Sequence, residues 1–286
     1  MNRSSYVAGL LIMLALIGGT LLWMAARWGI WPGAPVVLRG PWVMQSTRSC
    51  AAAGNLWQYE FAFARGKEHT ECHLLCFKGA DVELMVLDNG SARTKPRYSN
   101  LAAALRENGC SAGTNGGFFD VGSFTPNGLM IANGEATGVF DHRNWADGVL
   151  LVQGPAISLQ TRVGFMLVPG VTQLLQTGPW LVREGHPQQG FAGDVTAYCR
   201  TFVATDGQGR WALGHLNAGT LTDLARLLAH PEIRKVLGVQ DALNLEGGRS
   251  SAYGANLADG TRLYYPERTV VRNFIGVRPR KPPLVE

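Results

Sequence analysis

The chain has 286 residues, 46% of them hydrophobic and 16% charged, which is enough apolar mass for a sizeable core and too much for a disordered protein. Its net charge of +5 is concentrated at the C-terminus, where residues 261–286 set six Lys/Arg against Glu267 and Glu286. That is a solvated basic tail, unlike the basic face with stacking aromatics that a nucleic-acid binder presents, so no nucleic-acid partner is expected.

Val7–Ala26 (VAGLLIMLALIGGTLLWMAA) carries no charge over a length that matches a hydrocarbon core. Trp23, Trp28 and Trp31 crowd its exit, as interfacial anchors do. Residues 1–28 therefore read as an N-terminal transmembrane anchor; the competing reading is a cleaved signal segment, whose apolar region normally runs shorter. The rest of the chain is expected outside the cytoplasm, periplasmic or at the cell surface, with a cleaved secreted form as the alternative. Residues 29–55, with Pro32, Pro35 and Pro41 early on and little alternation, read as a linker, and 56–286 as one domain.

Within that domain, Tyr59–Ala64 and Val82–Leu87 alternate with period two and predict strands. Ser99 is placed to cap a helix running through NLAAALRENG, which Gly109 ends. Short apolar runs at Gly148–Gln153, Ala156–Gln160 and Thr172–Leu175 predict further strands. Thr201–Thr205 and Trp211–His215, joined by Asp206-Gly207-Gln208-Gly209, predict a hairpin. Thr220 caps a helix striped by Leu221, Leu224, Leu227 and Leu228. Strands at Ala242–Leu245 and Thr269–Val277 complete the reading. The 36 glycines fit tight connections between strands. There is no repeat and no low-complexity tract. The expected fold is α+β, a single domain with a mixed, strand-rich core sheet flanked by helices.

Five cysteines leave two accounts open. Cys50, Cys72, Cys76 and Cys110 permit two disulfides in three pairings, or serve as buried thiols, while Cys199 stands alone. Cys72-His-Leu-Leu-Cys76 has no second Cys/His pair at zinc spacing, and no metal site is assigned.

Glycine-flanked polar groups recur three times: Asn115-Gly-Gly-Phe-Phe-Asp120, Gln176-Thr-Gly-Pro179 and Asn244-Leu-Glu-Gly-Gly-Arg-Ser-Ser251. Each alone reads as a turn. Together they are three places where backbone can approach a ligand closely. None has a P-loop Gly-Lys-Ser/Thr, and Ser250-Ser251 lacks the Gly-x-Ser-x-Gly pattern of a nucleophile elbow. Phe118 and Phe119 read as core more readily than as a sugar platform.

The ordered set TNGGFFD, TPNGLMIANGEATG, LQTGPWLVREG, RTFVATDGQGRWALGHL, GTLTDLARLL, DALNLEGGRSS and RTVVRNFIGV resembles the phosphodiester glycosidase family from about residue 80 to the end, in particular its bacterial members without a known substrate. One departure is Leu245-Glu246-Gly247-Gly248, where relatives commonly carry Asp, followed by Arg249 in place of a small residue. The resemblance implies a hydrolase that cleaves the glycosidic bond of a sugar-1-phosphodiester, with a glycosyl-phosphate glycan or glycolipid of the envelope as substrate. Asp120 and Glu246 are the catalytic carboxylate candidates. Arg200 is the phosphate clamp, and Asn115, Thr177, Asn244, Ser250 and Ser251 are the remaining substrate-binding candidates. No cofactor is required, although an acidic cleft could hold a divalent cation. The alternatives are a non-catalytic anionic-glycan-binding module of the same fold and a metal-dependent phosphatase.

Overall fold

The computed structural model describes residues 40–143 and 145–280, and the anchor reading of Val7–Ala26 lies outside them. Among the described residues no helix is long and apolar enough to cross a membrane. Residues 42–280 lie in one unit whose regular elements are mostly strands.

The largest sheet has eight strands in the order Val43–Ala52, Leu56–Arg65, Glu68–Lys78, Arg210–Gly219, Tyr198–Thr205, Asp241–Asn244, Trp180–Arg183 and His186–Pro187. A second sheet orders Glu135–Thr137, Met130–Ala132, Val171–Thr177, Gly148–Gln153 and Ala156–Thr161. A third orders Arg262–Tyr265, Tyr253–Asn256, Ala112–Asn115, Asn273–Pro279 and Val82–Asp88. The α+β class and single domain hold. The mixed core sheet does not: there are three sheets, and their strand pairings are antiparallel.

Residues 43–52, read as linker, form the edge strand of the large sheet, paired to Leu56–Arg65. Most of that strand is exposed on both faces, so it carries no apolar alternation to announce it. The helix Leu101–Glu107 is capped by Asn100, whose side chain accepts from Ala103 N, and not by Ser99. Thr220 caps Leu221–Leu228 as expected, in a reciprocal box with Asp223.

Alternation gives the large sheet two working faces. Leu75, Phe77, Val203, Trp211, Leu213 and Leu243 pack against the other two sheets. On the opposite face, Cys72, Leu74, Phe202, Ala204, Ala212 and Leu216 pack under Leu221–Leu228 and the short helix Pro231–Val236. Each buried aliphatic side chain contributes about 1.5–3 kcal/mol, so this two-faced burial is the main stabilising term. All five cysteines are free thiols, so the disulfide account is not realised in this structure. Burial pushes Cys76 and Cys110 up to about 12 and Cys72 higher still, as expected of small buried hydrophobes.

One ion pair fastens the helix layer to the sheet. Arg65 Nη1 donates to Asp223 Oδ1 at 2.6 Å, Trp42 Nε1 donates to the same oxygen at 3.0 Å, and both partners of the pair are buried. Removing one partner strands the other in a low-dielectric site. Arg65→Ala is therefore expected to lower unfolding free energy in urea by about 3 kcal/mol.

Candidate functional site

The site forms where the third sheet meets the large one. Asn115 ends the strand Ala112–Asn115, and its neighbours are set by close backbone approach. A Cβ on Gly116 would overlap Asn273 Oδ1, which already accepts from Gly117 N at 2.8 Å. The paired glycines of TNGGFFD thus make room for Asn273 and, at Gly117, for Leu175. The first of them meets the segment that follows Asp241–Asn244: Glu246 N donates to Gly116 O at 3.1 Å.

Asn115 satisfies the buried backbone at this junction. Its Nδ2 donates to Glu246 O at 2.7 Å, and its Oδ1 accepts from Ala252 N at 2.9 Å. Thr201 Oγ1 lies 2.9 Å from Asn115 Oδ1 and 2.8 Å from Glu246 O, its one proton serving one of the two. Leu245 N donates to Thr201 O at 2.9 Å. A second bracket holds the preceding residue: Thr177 Oγ1 donates to Asn244 O at 2.8 Å, and Asn244 Nδ2 donates to Gly178 O at 3.1 Å.

These brackets present Glu246 with its backbone fixed and its carboxyl half-buried. Ser250 Oγ donates to Glu246 Oε1 at 2.9 Å from the turn Gly248–Ser250. Burial disfavours the charged form and pushes the carboxyl up to about 7, and the Ser250 hydrogen bond opposes this only in part. A second carboxyl, Asp147, is pushed by burial to about 6 while accepting from Trp180 N at 3.1 Å.

Arg200 arrives on the opposite face of its strand from Thr201, at a register shift between Tyr198 and Arg200. Its Nε donates to Gly219 O at 3.1 Å, and Nη2 lies 3.6 Å from Asp194 Oδ1. Asp194 is itself held by Leu221 N at 2.6 Å and Thr222 N at 2.7 Å. Burial lowers the Arg200 pKa, and Asp194 works against that shift. Gly247 borders the guanidinium: a Cβ there would lie 3.0 Å from Cys199 O and 3.7 Å from Arg200 Nη1. Glycine at 247 thus lets the Cys199 carbonyl approach closely, one residue from Glu246.

The structure therefore joins Asn115, Thr177, Asn244, Glu246 and Ser250 in one network and brings Arg200 alongside it at Gly247. Ser251 is buried nearby with its hydroxyl unpartnered, as is Asn244 Oδ1. Asp120 stands apart. It is exposed, and its carboxylate accepts from Ser123 N at 2.6 Å and Ser123 Oγ at 2.9 Å, donors that lower its pKa. It makes no hydrogen bond or ion pair with Glu246 or Arg200. Phe119 is core, packed edge-on against Phe124, and Phe118 meets Trp145 edge-on at 4.9 Å.

Thr201, Asn273 and Asp194 are the residues sequence reasoning missed. Strand alternation puts Thr201 on the face opposite Arg200, toward the other sheets, and that was the signal available for it. Its cross-strand neighbour His215 is buried and held neutral, its pKa lowered to about 3 by burial and then by His73, so it is no acid near neutrality. Among the described residues no group of three His, Cys, Asp or Glu side chains could hold a metal ion.

A model of the phosphodiester glycosidase family matches residues 108–278. No curated protein matches the chain. Among solved structures, the chain is similar to the catalytic domain of zebrafish N-acetylglucosamine-1-phosphodiester alpha-N-acetylglucosaminidase, auto-inhibited by its pro-peptide. The TM-score is 0.59 at 17% identity, covering 83% of this chain and 89% of that one. A hypothetical protein from Synechocystis aligns with a TM-score of 0.51 at 15% identity, covering 79% and 62% respectively. At these identities the likeness is one of fold.

Asn115→Ala would leave Ala252 N without its buried partner and Glu246 O with the Thr201 hydroxyl alone. The expected loss is about 3 kcal/mol of unfolding free energy in urea, because unpaired buried polar groups cost about 1–3 kcal/mol each. Asn115→Gln, which keeps the amide but not its reach, is expected to recover little.

Proposed function

The chain belongs to the phosphodiester glycosidase family, and from that premise we propose that it hydrolyses the glycosidic bond of a sugar-1-phosphodiester carried by an envelope glycan or glycolipid. The observation that carries this reading is Glu246: a half-buried carboxyl pushed up to about 7 and held by Ser250, on a backbone fixed by Asn115 and Thr201, with Arg200 bordering the next residue, Gly247. Glu246 is the catalytic carboxylate, and Arg200 binds the anionic phosphate through Nη1 on the Gly247 flank. Gly219 O holds its Nε and Asp194 faces its Nη2, which leaves Nη1 to donate to the phosphate.

In the reaction, a water oxygen bonds to the anomeric carbon while the bond from that carbon to the phosphate oxygen breaks. The phosphate leaves with the electron pair as a monoester, and ionised Glu246 takes the proton of the attacking water. A phosphate monoester is a stable anion, so little acid assistance is needed at the leaving oxygen, and a base with a pKa near the working pH is the more useful group. Ser250 holds the carboxylate in place, and Asn115 and Thr201 fix the backbone on which it stands. Asp120 remains a candidate for contact with the substrate through the loop it closes. The membrane anchor at residues 1–28 and an extracytoplasmic location fit an envelope substrate and belong to the same proposal. The binding-module and metal-dependent phosphatase readings have no structural observation in their favour.

The pH dependence follows from the direction of the shift. Glu246 must be ionised to act, so kcat/KM on a synthetic N-acetylglucosamine-1-phosphodiester is expected to rise as pH passes upward through about 7. Glu246→Gln is expected to abolish turnover, and Arg200→Ala to raise KM strongly, both in folded protein. Because the folded pKa lies above the ordinary 4.5, Glu246 contributes stability below that value and loses it as pH rises through about 7. Glu246→Gln should accordingly gain thermal stability relative to the parent above pH 7. A flat pH profile or an active Glu246→Gln enzyme would falsify the assignment.

A further inference from the structure

The segment 162–170 joins two strands of the second sheet, Ala156–Thr161 and Val171–Thr177, which flank Gly148–Gln153 on opposite sides. Thr161 pairs with Gly148 and Val171 with Gln153, so the segment travels the length of the middle strand as a strap. One face of that sheet, with Leu150, Val152 and Leu175, packs into the main core. The strap covers the other face, where Phe165 packs with Val149, Leu151 and Leu174 and stacks on Phe140 at 5.3 Å. Its remaining apolar side chains turn to solvent. Val163 is 78% exposed, Met166 79%, Leu167 51% and Val168 45%, and Val139, beside Phe140, is 78% exposed.

Residues 163–170 contain no charged, hydroxyl or amide side chain. An exposed run of that composition is disfavoured in water and adds nothing to a sheet face that Phe165 already covers. Its backbone also suits a medium without water. Val163 O accepts from Thr161 Oγ1 at 2.9 Å, Pro169 O accepts from Gln153 Nε2 at 2.8 Å, and Phe165 N donates to Arg162 O at 3.2 Å. Pro169 has no N–H to satisfy. A protein partner is held through an apolar centre and a polar rim of hydrogen bonds, whereas hydrocarbon asks for apolar side chains alone. The sequence points to the same partner independently, because Val7–Ala26 is free of charge over the length of a hydrocarbon core. We propose that the strap is a membrane-docking surface, with Val163, Met166, Leu167 and Val168 entering the boundary between headgroups and acyl chains of a phospholipid bilayer. Its root is tied to the bracket behind Glu246. Arg162 N donates to Asp147 O at 2.9 Å, and Asp147 Oδ1 accepts from Trp180 N, two residues past the Gly178 carbonyl that holds Asn244. The docking stands independently of the glycosidase reading.

Photocrosslinking of the full chain tests this without any substrate. The chain carries p-benzoylphenylalanine at position 166, is reconstituted in vesicles of phosphatidylethanolamine and phosphatidylglycerol, and is irradiated. Adducts are then identified by mass spectrometry. A second sample carries the photoreactive residue at position 195 instead, since Val195 is 83% exposed but lies outside the strap. Phospholipid adducts are expected at 166 and not at 195. Adding Leu167→Asp and Val168→Asp is expected to lower the adducts at 166 about tenfold, because charge is disfavoured at that depth. Both replaced side chains are exposed, so the melting temperature in detergent should stay unchanged; if it falls, the comparison of 166 with 195 decides alone. Adducts with a second copy of the chain at 166, equal lipid adducts at both positions, or no adduct at 166 would overturn the proposal. So would lipid adducts at 166 that a folded double-aspartate variant keeps in full.

Discussion

A single side-chain amide makes the rest of the site possible. Where the strand Ala112–Asn115 of one sheet meets the end of Asp241–Asn244 of another, backbone groups are buried without a sheet partner. Asn115 supplies both a donor and an acceptor there, to Glu246 O and Ala252 N, and Thr201 Oγ1 reaches Glu246 O and Asn115 Oδ1. Buried backbone must be paired or it costs free energy, so the junction is stable in one arrangement. That arrangement brings Glu246 N to Gly116 O and sets the carboxyl of the same residue against Ser250.

The chemistry follows from the partial burial this produces. A carboxyl in open water would be ionised well below neutrality. At Glu246 desolvation outweighs the one hydrogen bond that favours the charge, and the balance falls at about 7. A Glu carries its carboxyl one methylene further from this fixed backbone than an Asp would, and at that reach it meets Ser250. Arg200, from the other face of the large sheet, borders Gly247, the residue after Glu246.

Much of the fold could be read in the sequence because two-sided burial leaves a period-two signature. Gly148–Gln153 was bounded correctly, and the hairpin around Asp206–Gly209 and the box at Thr220 and Asp223 announced themselves through turn and cap chemistry. Val43–Ala52 was hidden because an exposed edge strand needs no apolar face. At the site, Asn115, Asn244, Glu246, Ser250 and Arg200 were legible through their glycines, since close approach leaves a visible gap in side-chain size. Asn273 was not, because the residue that fills the gap left by Gly116 lies far away in sequence and looks like any polar residue at a strand start. Asp120, marked by the same glycine pattern, lies outside the hydrogen-bond network around Glu246. A carboxylate beside glycines has the same spelling whether it faces a ligand or closes its own turn on Ser123.

The central claim is that water attacks carbon rather than phosphorus. Hydrolysis of an N-acetylglucosamine-1-phosphodiester in oxygen-18 water, followed by mass spectrometry of both products, tests it directly. The account predicts the heavy oxygen on the anomeric carbon of the released sugar, with the phosphate monoester unlabelled. Label in the phosphate product would contradict it, because the bond broken would then be that of a phosphodiesterase.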